Sequence, residues 1–260
     1  MSTKLLLASA FLMAAVSAHA TVSVTSTAVT YTQSFDGLAS AGSGIAWAND
    51  STLNGWSLFA AAPVSTYNTG TGSNGSIAGF FSFGAAGDTD RALGSVVTNN
   101  FAGTAGSSYV YTALALTNNT GGALTGFTLR YDGEQYRNNG NTAVQGLVLQ
   151  YGFGATYAAV GAWTTAGASF NFDSPVVGGS AAIVDGNGAG KVADLGGTVT
   201  TSWAADSTLW IRWQDLNNSG NDHLLAIDNV RVTAVPEPST YALLLAGLGA
   251  VGFIARRRRG

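Results

Sequence analysis

Short apolar stretches with alternating hydrophobicity, separated by clusters of Gly, Asn and Asp, fill the chain between residues 21 and 234. No ten residues there repeat apolar side chains at the i, i+3, i+4 and i+7 positions of an amphipathic helix. In one stretch the period of two places Phe127, Leu129 and Tyr131 on the same face, with other residues between them facing the opposite way. The pattern predicts an all-β domain in which one face of a sheet packs and the other meets water or ligand.

The predicted strands are short and are separated by polar turns, such as those at residues 118–122 and 138–141. The long connection over residues 60–76 favours a β-sandwich with elaborated loops over a simple meander. We expect a single domain over residues 21–234, because about 215 residues suit one large all-β core. Strands are predicted at residues 22–31, 109–117, 127–131, 147–153, 208–213 and 226–233.

The composition decides whether such a Gly-rich chain can fold. Gly accounts for 35 of 260 residues and charged residues for only 10%, yet 46% of the residues are hydrophobic and six are Trp. That apolar surface is enough to build a core, so a disordered middle region is disfavoured. Cys is absent, which excludes disulfide bonds and thiol catalysis.

The domain itself is acidic, because nearly half of the basic residues lie at the two ends of the chain. Between residues 21 and 234 there are six basic residues against thirteen acidic ones, a net charge of −7. Nucleic-acid binding depends on neutralising phosphates with a basic surface. We therefore expect no nucleic-acid partner.

Residues 1–20 have the order of a secretory signal peptide. Lys4 precedes an uncharged apolar run, and the segment ends in Ala18-His19-Ala20, with small residues at the two positions that signal peptidase reads. The run is shorter than the ~20 apolar residues of a membrane span, which disfavours a retained anchor. We predict cleavage by signal peptidase after Ala20 and export of the domain.

The C-terminal segment places a Pro-rich stretch, an apolar run and a basic end in succession. Pro236 and Pro238 flank Glu237. Because proline is excluded from central strands and helix interiors, an extended and accessible linker is predicted at residues 235–239. The uncharged residues 241–255 would reach about 22 Å as a helix, a marginal length for a ~30 Å hydrocarbon core, and are predicted as a short transmembrane helix. The basic residues expected to stop this segment on the cytoplasmic side are Arg256, Arg257, Arg258 and Arg259.

This ordered trio, over residues 235–260, resembles the PEP-CTERM sorting signal of Gram-negative bacteria. The resemblance implies processing at or beside Pro236, Glu237 and Pro238 by exosortase, an integral-membrane transpeptidase-like protease. It also implies a host that secretes exopolysaccharide and builds a biofilm or floc matrix. We expect an inner-membrane intermediate and then a cell-surface, matrix or secreted protein. An ordinary C-terminal anchor with a chance Pro-Glu-Pro is the alternative, and it also leaves the domain outside the inner membrane.

Two segments near the ends of the domain are similar to those of secreted jelly-roll modules of the carbohydrate-binding or adhesin type. They are residues 33–37 (QSFDG) and 225–230 (LAIDNV), with a Gly-Trp pair some twenty residues after the first. The resemblance implies a jelly-roll-like sandwich with its first and last strands side by side, and a structural calcium ion held by Asp36 and Asp228. Calcium takes about six to eight oxygen ligands, so backbone carbonyls, a neighbouring Asn or water would complete the set. The alternative is that both carboxylates accept hydrogen bonds from backbone N–H groups.

A predicted loop near the end of the domain is dense in polar side chains, namely Asp215, Asn217, Asn218, Asn221, Asp222 and His223. Asp222 and His223 are candidate ligand-binding residues there, for calcium or a sugar, and a polar hairpin is the alternative. A second cluster at residues 88–91 (DTDR) lacks the later Gly and Glu of an EF-hand loop and is predicted as a solvated turn.

Few residues could support enzyme chemistry. His223 would be the single His of the mature chain, and no Gly-x-Ser-x-Gly elbow accompanies it. One His and no Cys cannot supply the usual zinc ligands. Glycoside hydrolysis needs two carboxylates, and Asp132 and Glu134, the single Glu of the domain, could share a strand face. They are candidate ligand-binding or catalytic residues, but a charged surface hairpin over residues 130–137 is the favoured interpretation.

The leading hypothesis is a non-catalytic, exported surface or matrix protein associated with exopolysaccharide. One rival is an exported glycan hydrolase using Asp132 and Glu134, and another is a structural adhesin with protein partners. Most of the six Trp are expected in the core, with at most two facing a ligand. No catalytic residue is assigned, and calcium is the only cofactor considered.

Overall fold

The computed structural model describes residues 21–73 and 75–257, and β-strands dominate this part of the chain. The predicted signal peptide and its cleavage site at Ala20 lie outside the described residues. The helices are α1 (Asn99–Ala102) and α2 (Pro238–Arg257), with 3-10 turns at Tyr157–Ala159 and Ala168–Phe170. The strands are β1 (Val22–Val24), β2 (Thr30–Gln33), β3 (Ile45–Ala46), β4 (Trp56–Phe59), β5 (Thr66–Gly70), β6 (Gly79–Phe83), β7 (Ala92–Val96), β8 (Tyr109–Asn118), β9 (Leu124–Asn138), β10 (Gly146–Phe153), β11 (Thr164–Thr165), β12 (Phe172–Asp173), β13 (Ala182–Ile183), β14 (Lys191–Trp203), β15 (Thr208–Leu216) and β16 (Leu224–Pro236).

The strands form two sheets. In sheet I, β8, β15 and β10 are adjacent and antiparallel; β4 and the parallel β1 lie beside β8, and β11 and β12 lie beside β10. In sheet II, the long strands β9 and β16 pair; β13 and β14 flank β9, β2 and β7 flank β16, and β6, β5 and β3 extend the sheet. The prediction of an all-β, jelly-roll-like sandwich is confirmed.

One hydrophobic core lies between the two sheets. Phe127, Leu129 and Tyr131 of β9 are fully buried there, as their period of two predicted. From sheet I, Trp213 meets Tyr131 edge-on at 5.5 Å between ring centroids and stacks on Trp56 at 5.7 Å. Aromatic rings of this size dominate the energetics of a core. The expectation that most Trp are core residues is confirmed, because the buried ones are Trp47, Trp56, Trp203, Trp210 and Trp213.

The single strand predicted over residues 22–31 is wrong, because the chain crosses between the sheets there. β1 pairs with β8 in sheet I, residues 25–29 turn the chain, and β2 pairs with β16 in sheet II. The pairing of β2 with β16 places strands from the two ends of the domain side by side, as expected. The long connection over residues 60–76 also contains β5, which the sequence pattern did not reveal.

The C-terminal segment contains less linker than its prolines predict. β16 extends to Pro236, whose carbonyl accepts a hydrogen bond from the Thr125 hydroxyl at 3.1 Å. α2 begins at Pro238, where the missing N–H costs nothing because the first helical turn leaves it unpaired anyway. The extended linker predicted over residues 235–239 is therefore wrong, and Glu237 alone separates the strand from the helix.

Residues 241–255 are helical within α2, as predicted. However, no helix of residues 21–73 and 75–257 is both long and apolar enough to cross a membrane. The predicted transmembrane helix is corrected accordingly; its apolar run spans about 22 Å against a ~30 Å hydrocarbon core. Arg256 and Arg257 lie exposed in the last turn of α2, and Arg258 and Arg259 lie outside the described residues.

Candidate ligand-binding face

The outward face of sheet I carries a group of aromatic rings, most of them partly exposed. Alternation along β8 turns Tyr109 and Tyr111 outward, while Val110 and Leu114 enter the core. The rings of β8 are joined by residues of β4, of β15 and of the loop after β10. We call this group the aromatic platform, and it comprises Phe59, Tyr109, Tyr111, Tyr157, Trp163, Trp210 and Arg212.

Arg212 of β15 lies at the centre of the platform. Its guanidinium carbon lies 4.2 Å from the ring centroid of Tyr111 and 3.9 Å from that of Trp163. The Nε and Nη2 groups donate to the Gln150 side-chain oxygen at 2.8 and 2.6 Å, and Nη1 donates to the Tyr157 hydroxyl at 2.9 Å. The arginine is thus fixed by two rings and two polar side chains rather than by an ion pair.

The loop over residues 154–163 supplies two of the platform rings. Tyr157 stacks on Phe59 at 3.8 Å between centroids and lies edge-on to the buried Trp210 at 5.6 Å. The loop can lie this close to β10 because Gly152 has no side chain; a Cβ there would lie 2.5 Å from Val160. The Trp210 indole N–H fixes the start of the loop by donating to the Gly154 carbonyl at 3.0 Å.

The platform combines the groups that recognise a sugar. Phe59, Tyr111, Tyr157 and Trp163 are half-buried, so ring surface remains in contact with solvent. Aromatic rings give a rigid apolar surface, and Tyr and Trp add a polar group at the edge. Burial raises the pKa of Tyr157, although Arg212 opposes the rise, so its hydroxyl is protonated at neutral pH. The result is an apolar surface bordered by hydroxyl, amide and guanidinium groups.

Asp132 and Glu134 share one side of β9, as predicted, but they do not form a surface hairpin. β9 is continuous through them, and Glu134 is 1% exposed. Lys191 of β14 lies 2.9 Å from an oxygen of Asp132 and 3.5 Å from one of Glu134, and the Tyr136 hydroxyl donates to Glu134 at 2.7 Å. The predicted surface hairpin over residues 130–137 is wrong because β14 and β16 cover both edges of β9.

The pKa values of the two carboxyls in this network are shifted in opposite directions. Burial raises the pKa of Glu134 despite its bond from Tyr136 and the charge of Lys191. Burial also acts to raise the pKa of Asp132, but hydrogen bonds from Asp194, Lys191 and Asn229 outweigh it and hold that pKa below its usual range. The two carboxyls belong to a largely buried ion network with Lys191, and Glu134 is inaccessible to a polysaccharide in this fold.

Asp36 and Asp228, the predicted calcium ligands, lie near one another. Asp36 is exposed and accepts the backbone N–H of Arg91 at 3.0 Å. Asp228 is buried, and its Oδ1 has no hydrogen-bond partner in the structure. Among residues 21–73 and 75–257 no three acidic or histidine side chains form a metal-binding group, so most oxygens around a calcium ion would come from the backbone or water. Calcium at these residues stays a prediction.

The polar cluster over residues 215–223 divides between a cleft and the protein interior. Asp222 lines a cleft of about 490 Å³ together with several Asn side chains; burial raises its pKa to about 7. Its Oδ1 accepts the Asn218 N–H at 2.7 Å. His223, in contrast, is 1% exposed, accepts the Asn139 N–H through Nδ1 at 3.2 Å, and has its pKa lowered by burial. Asp222 is buried at the wall of this cleft, whereas His223 is a core residue.

The cluster at residues 88–91 forms the predicted turn, in which Asp88 accepts the Asp90 N–H at 3.1 Å. Arg91 departs from the prediction of a solvated cluster, because it is buried. Its guanidinium donates to the hydroxyl and carbonyl of Ser82 and to the Ala85 carbonyl. These oxygens compensate the cation for lost hydration, so Arg91 is a structural residue.

The platform was missed in the sequence, although two signals of it are present there. Tyr109 and Tyr111 alternate with core residues in a predicted strand, and Arg212 is a charged residue inside the apolar stretch LWIRW. Trp163 and Tyr157 gave no signal of their position, because it depends on how a loop folds back over the sheet.

Comparisons with known proteins identify the C-terminal segment. Residues 234–259 match the family model of the PEP-CTERM protein-sorting motif. The predicted sorting signal is confirmed, and it marks the chain as an exported, exosortase-targeted protein. Comparison with curated proteins finds no match.

One solved structure is found to be similar to part of the chain. It is the CBM22-1 xylan-binding domain from Paenibacillus barcinonensis Xyn10C, with 9% sequence identity and a TM-score of 0.36. The alignment covers 77% of this chain and 99% of that domain. No functional conclusion follows from a likeness of this size.

Proposed function

We propose that this protein is processed by exosortase and acts outside the cell as a non-catalytic module that binds extracellular polysaccharide through the aromatic platform. The observation that carries the proposal is the set of half-buried rings around Arg212 on the outward face of sheet I. Export itself follows from the PEP-CTERM motif.

The platform suits a sugar chain because its rings stand on a rigid sheet. Tyr109 and Tyr111 project from β8, which is hydrogen-bonded on both edges, so little side-chain or backbone order has to be gained on binding. Rings can cover the C–H faces of a pyranose, and the Gln150 amide and the Tyr157 hydroxyl beside Arg212 offer polar groups for its hydroxyls.

The rival hydrolase hypothesis requires Asp132 and Glu134 to reach a glycosidic bond. Glu134 is 1% exposed and hydrogen-bonded to Tyr136, and Asp132 is paired with Lys191. Both carboxyls are occupied by structural contacts, which supports a non-catalytic role. The adhesin hypothesis predicts a protein ligand instead, and the binding experiment below separates the two.

Native affinity electrophoresis through gels containing the host's own exopolysaccharide tests the proposal. We expect the exported protein to be retarded. Trp163→Ala or Tyr111→Ala should be retarded less, with an affinity for the polysaccharide about tenfold weaker, because each removes a stacking surface. Ile183→Ala is the matched control, since it removes an exposed apolar side chain from sheet II. Unretarded migration of the unaltered protein contradicts polysaccharide binding, and equal retardation of all variants contradicts the platform as its site.

A further inference from the structure

The ligand class follows from the charge at the centre of the platform, provided that the proposed polysaccharide binding holds. Arg212 has no Asp or Glu within ion-pair distance among residues 21–73 and 75–257. Other cations of the domain do have such partners: Arg130 and Arg231 pair with Asp194, and Lys191 pairs with Asp132. Arg91 and Arg137 lack such a partner too, but their guanidinium groups donate to backbone carbonyls, whereas Arg212 lies between the half-buried rings of Tyr111 and Trp163 on the outward face of sheet I.

The guanidinium retains hydrogen-bonding capacity. Of the five N–H donors of an arginine, three are used by Gln150 and Tyr157, which leaves two. Both partners are neutral, so the positive charge is not cancelled. Stacking against Tyr111 and Trp163 holds the guanidinium plane in place, which reduces the entropy lost when a planar anion binds to its edge.

We propose that the platform selects polysaccharides containing uronic acid, with the sugar carboxylate accepting the two remaining Arg212 N–H groups while the sugar ring contacts the platform rings. A carboxylate matches the planar geometry of the guanidinium, and charge-assisted hydrogen bonds are about twice as strong as neutral ones. Because the rest of the domain is acidic, the selectivity comes from this one contact and not from a general basic surface.

The test uses acid polymers and their neutral methyl esters, which share one backbone. Binding of the full exported protein to polygalacturonate, alginate and polyglucuronate is measured by isothermal titration calorimetry, beside the methyl ester of each polymer. We expect at least one acid polymer to bind about ten- to a hundredfold tighter than its ester. This is the gain in affinity that hydrogen bonds to a charged group provide. Equal affinity for acid and ester overturns the uronate proposal and leaves polysaccharide binding intact.

Two variants isolate the arginine. Arg212→Gln removes the charge, and Gln150→Glu places a carboxylate where the guanidinium now meets an amide oxygen, neutralising it without changing the size of the side chain. Both should lose the preference for acid over ester. Arg231→Gln is the matched control, because it removes one positive charge from the exposed surface of sheet II. Retention of the preference in Gln150→Glu, or its loss in Arg231→Gln, contradicts the proposal.

Failure of all three acid polymers to bind also overturns the uronate proposal. Polysaccharide binding itself is then judged separately, by retardation in the host exopolysaccharide gel. Retardation there without any uronate binding would mean that the platform recognises a neutral sugar. Thermal unfolding midpoints of the variants establish that each is folded.

Discussion

Asp228 provides a quantitative test of how the domain depends on pH. It is 1% exposed on β16, and its Oδ1 has no hydrogen-bond partner. Burial raises its pKa to about 8, with three neighbouring carboxylates adding to the rise and a hydrogen bond from Asn229 opposing it. The unfolded chain has a pKa near ~3.9 at this residue. The folded state therefore keeps a proton that the unfolded state releases, so stability is full below about pH 4 and falls as the pH rises towards about 8.

The size of this loss follows from the shift in pKa. About four units at about 1.36 kcal/mol each give an upper bound of about 5 kcal/mol in the free energy of unfolding between pH 4 and pH 8. Asp228→Asn keeps the shape of the side chain and cannot ionise, so this part of the loss should disappear. Burial also raises the pKa of Asp215, Asp222 and Glu134, so a decline of the same sign should remain in Asp228→Asn.

Urea unfolding followed by Trp fluorescence, from about pH 4 to about pH 9 in the presence of a chelator, measures the effect. We expect Asp228→Asn to exceed the unaltered protein by about 2–5 kcal/mol near pH 8 and to match it near pH 4. Asp206→Asn, at an exposed position, is the matched control. Parallel pH profiles of Asp228→Asn and the unaltered protein would refute the reasoning.

Three further predictions concern the calcium ion, the platform loop and processing. If calcium binds at Asp36 and Asp228, a concentration of 100 Kd should stabilise the unaltered protein near pH 8 by about 2.7 kcal/mol but not Asp228→Asn, as urea unfolding will show; equal stabilisation of both contradicts calcium at these residues. Gly152→Val should displace the loop that carries Trp163 and weaken binding to polysaccharide about tenfold, at a cost of about 1–3 kcal/mol in the free energy of unfolding; unchanged retardation in the affinity gel contradicts this role. Replacing residues 236–238 by Ala should leave an uncleaved form, which a measurement of intact mass will detect. Cleavage and release of this variant as in the unaltered protein would contradict exosortase processing there.

The strand pattern was largely readable from the sequence because buried and partly exposed side chains alternate along parts of the long strands β9 and β10. The alternation in residues 127–131 and the turns around Asn118 predicted strands that the structure contains, with longer bounds. The crossing at residues 25–29 was not readable, because β-branched residues continue through it without a Gly or Pro. The burial of Glu134 was missed for a related reason: a charged residue looks exposed until the partner strand that supplies Lys191 is known.

The candidate site was harder to predict than the fold. Ligand candidates were expected at carboxylates and at His223, because single residues of those types carry recognisable chemistry. The platform instead depends on residues brought together from four distant segments, in which each aromatic alone resembles a core residue. Only Trp163 among the six Trp is partly exposed, and its position over Arg212 comes from the fold of a loop.

That exposed tryptophan allows the most direct test of the central claim, that polysaccharide binds at the platform. The measurement is a titration of the exported protein with the host's exopolysaccharide, following Trp emission and its quenching by acrylamide. We predict a saturable change in emission together with protection from acrylamide, and loss of most of this signal in Trp163→Phe, because the other five Trp are buried. Retardation in the affinity gel without any change in Trp163 emission would contradict the platform as the binding site.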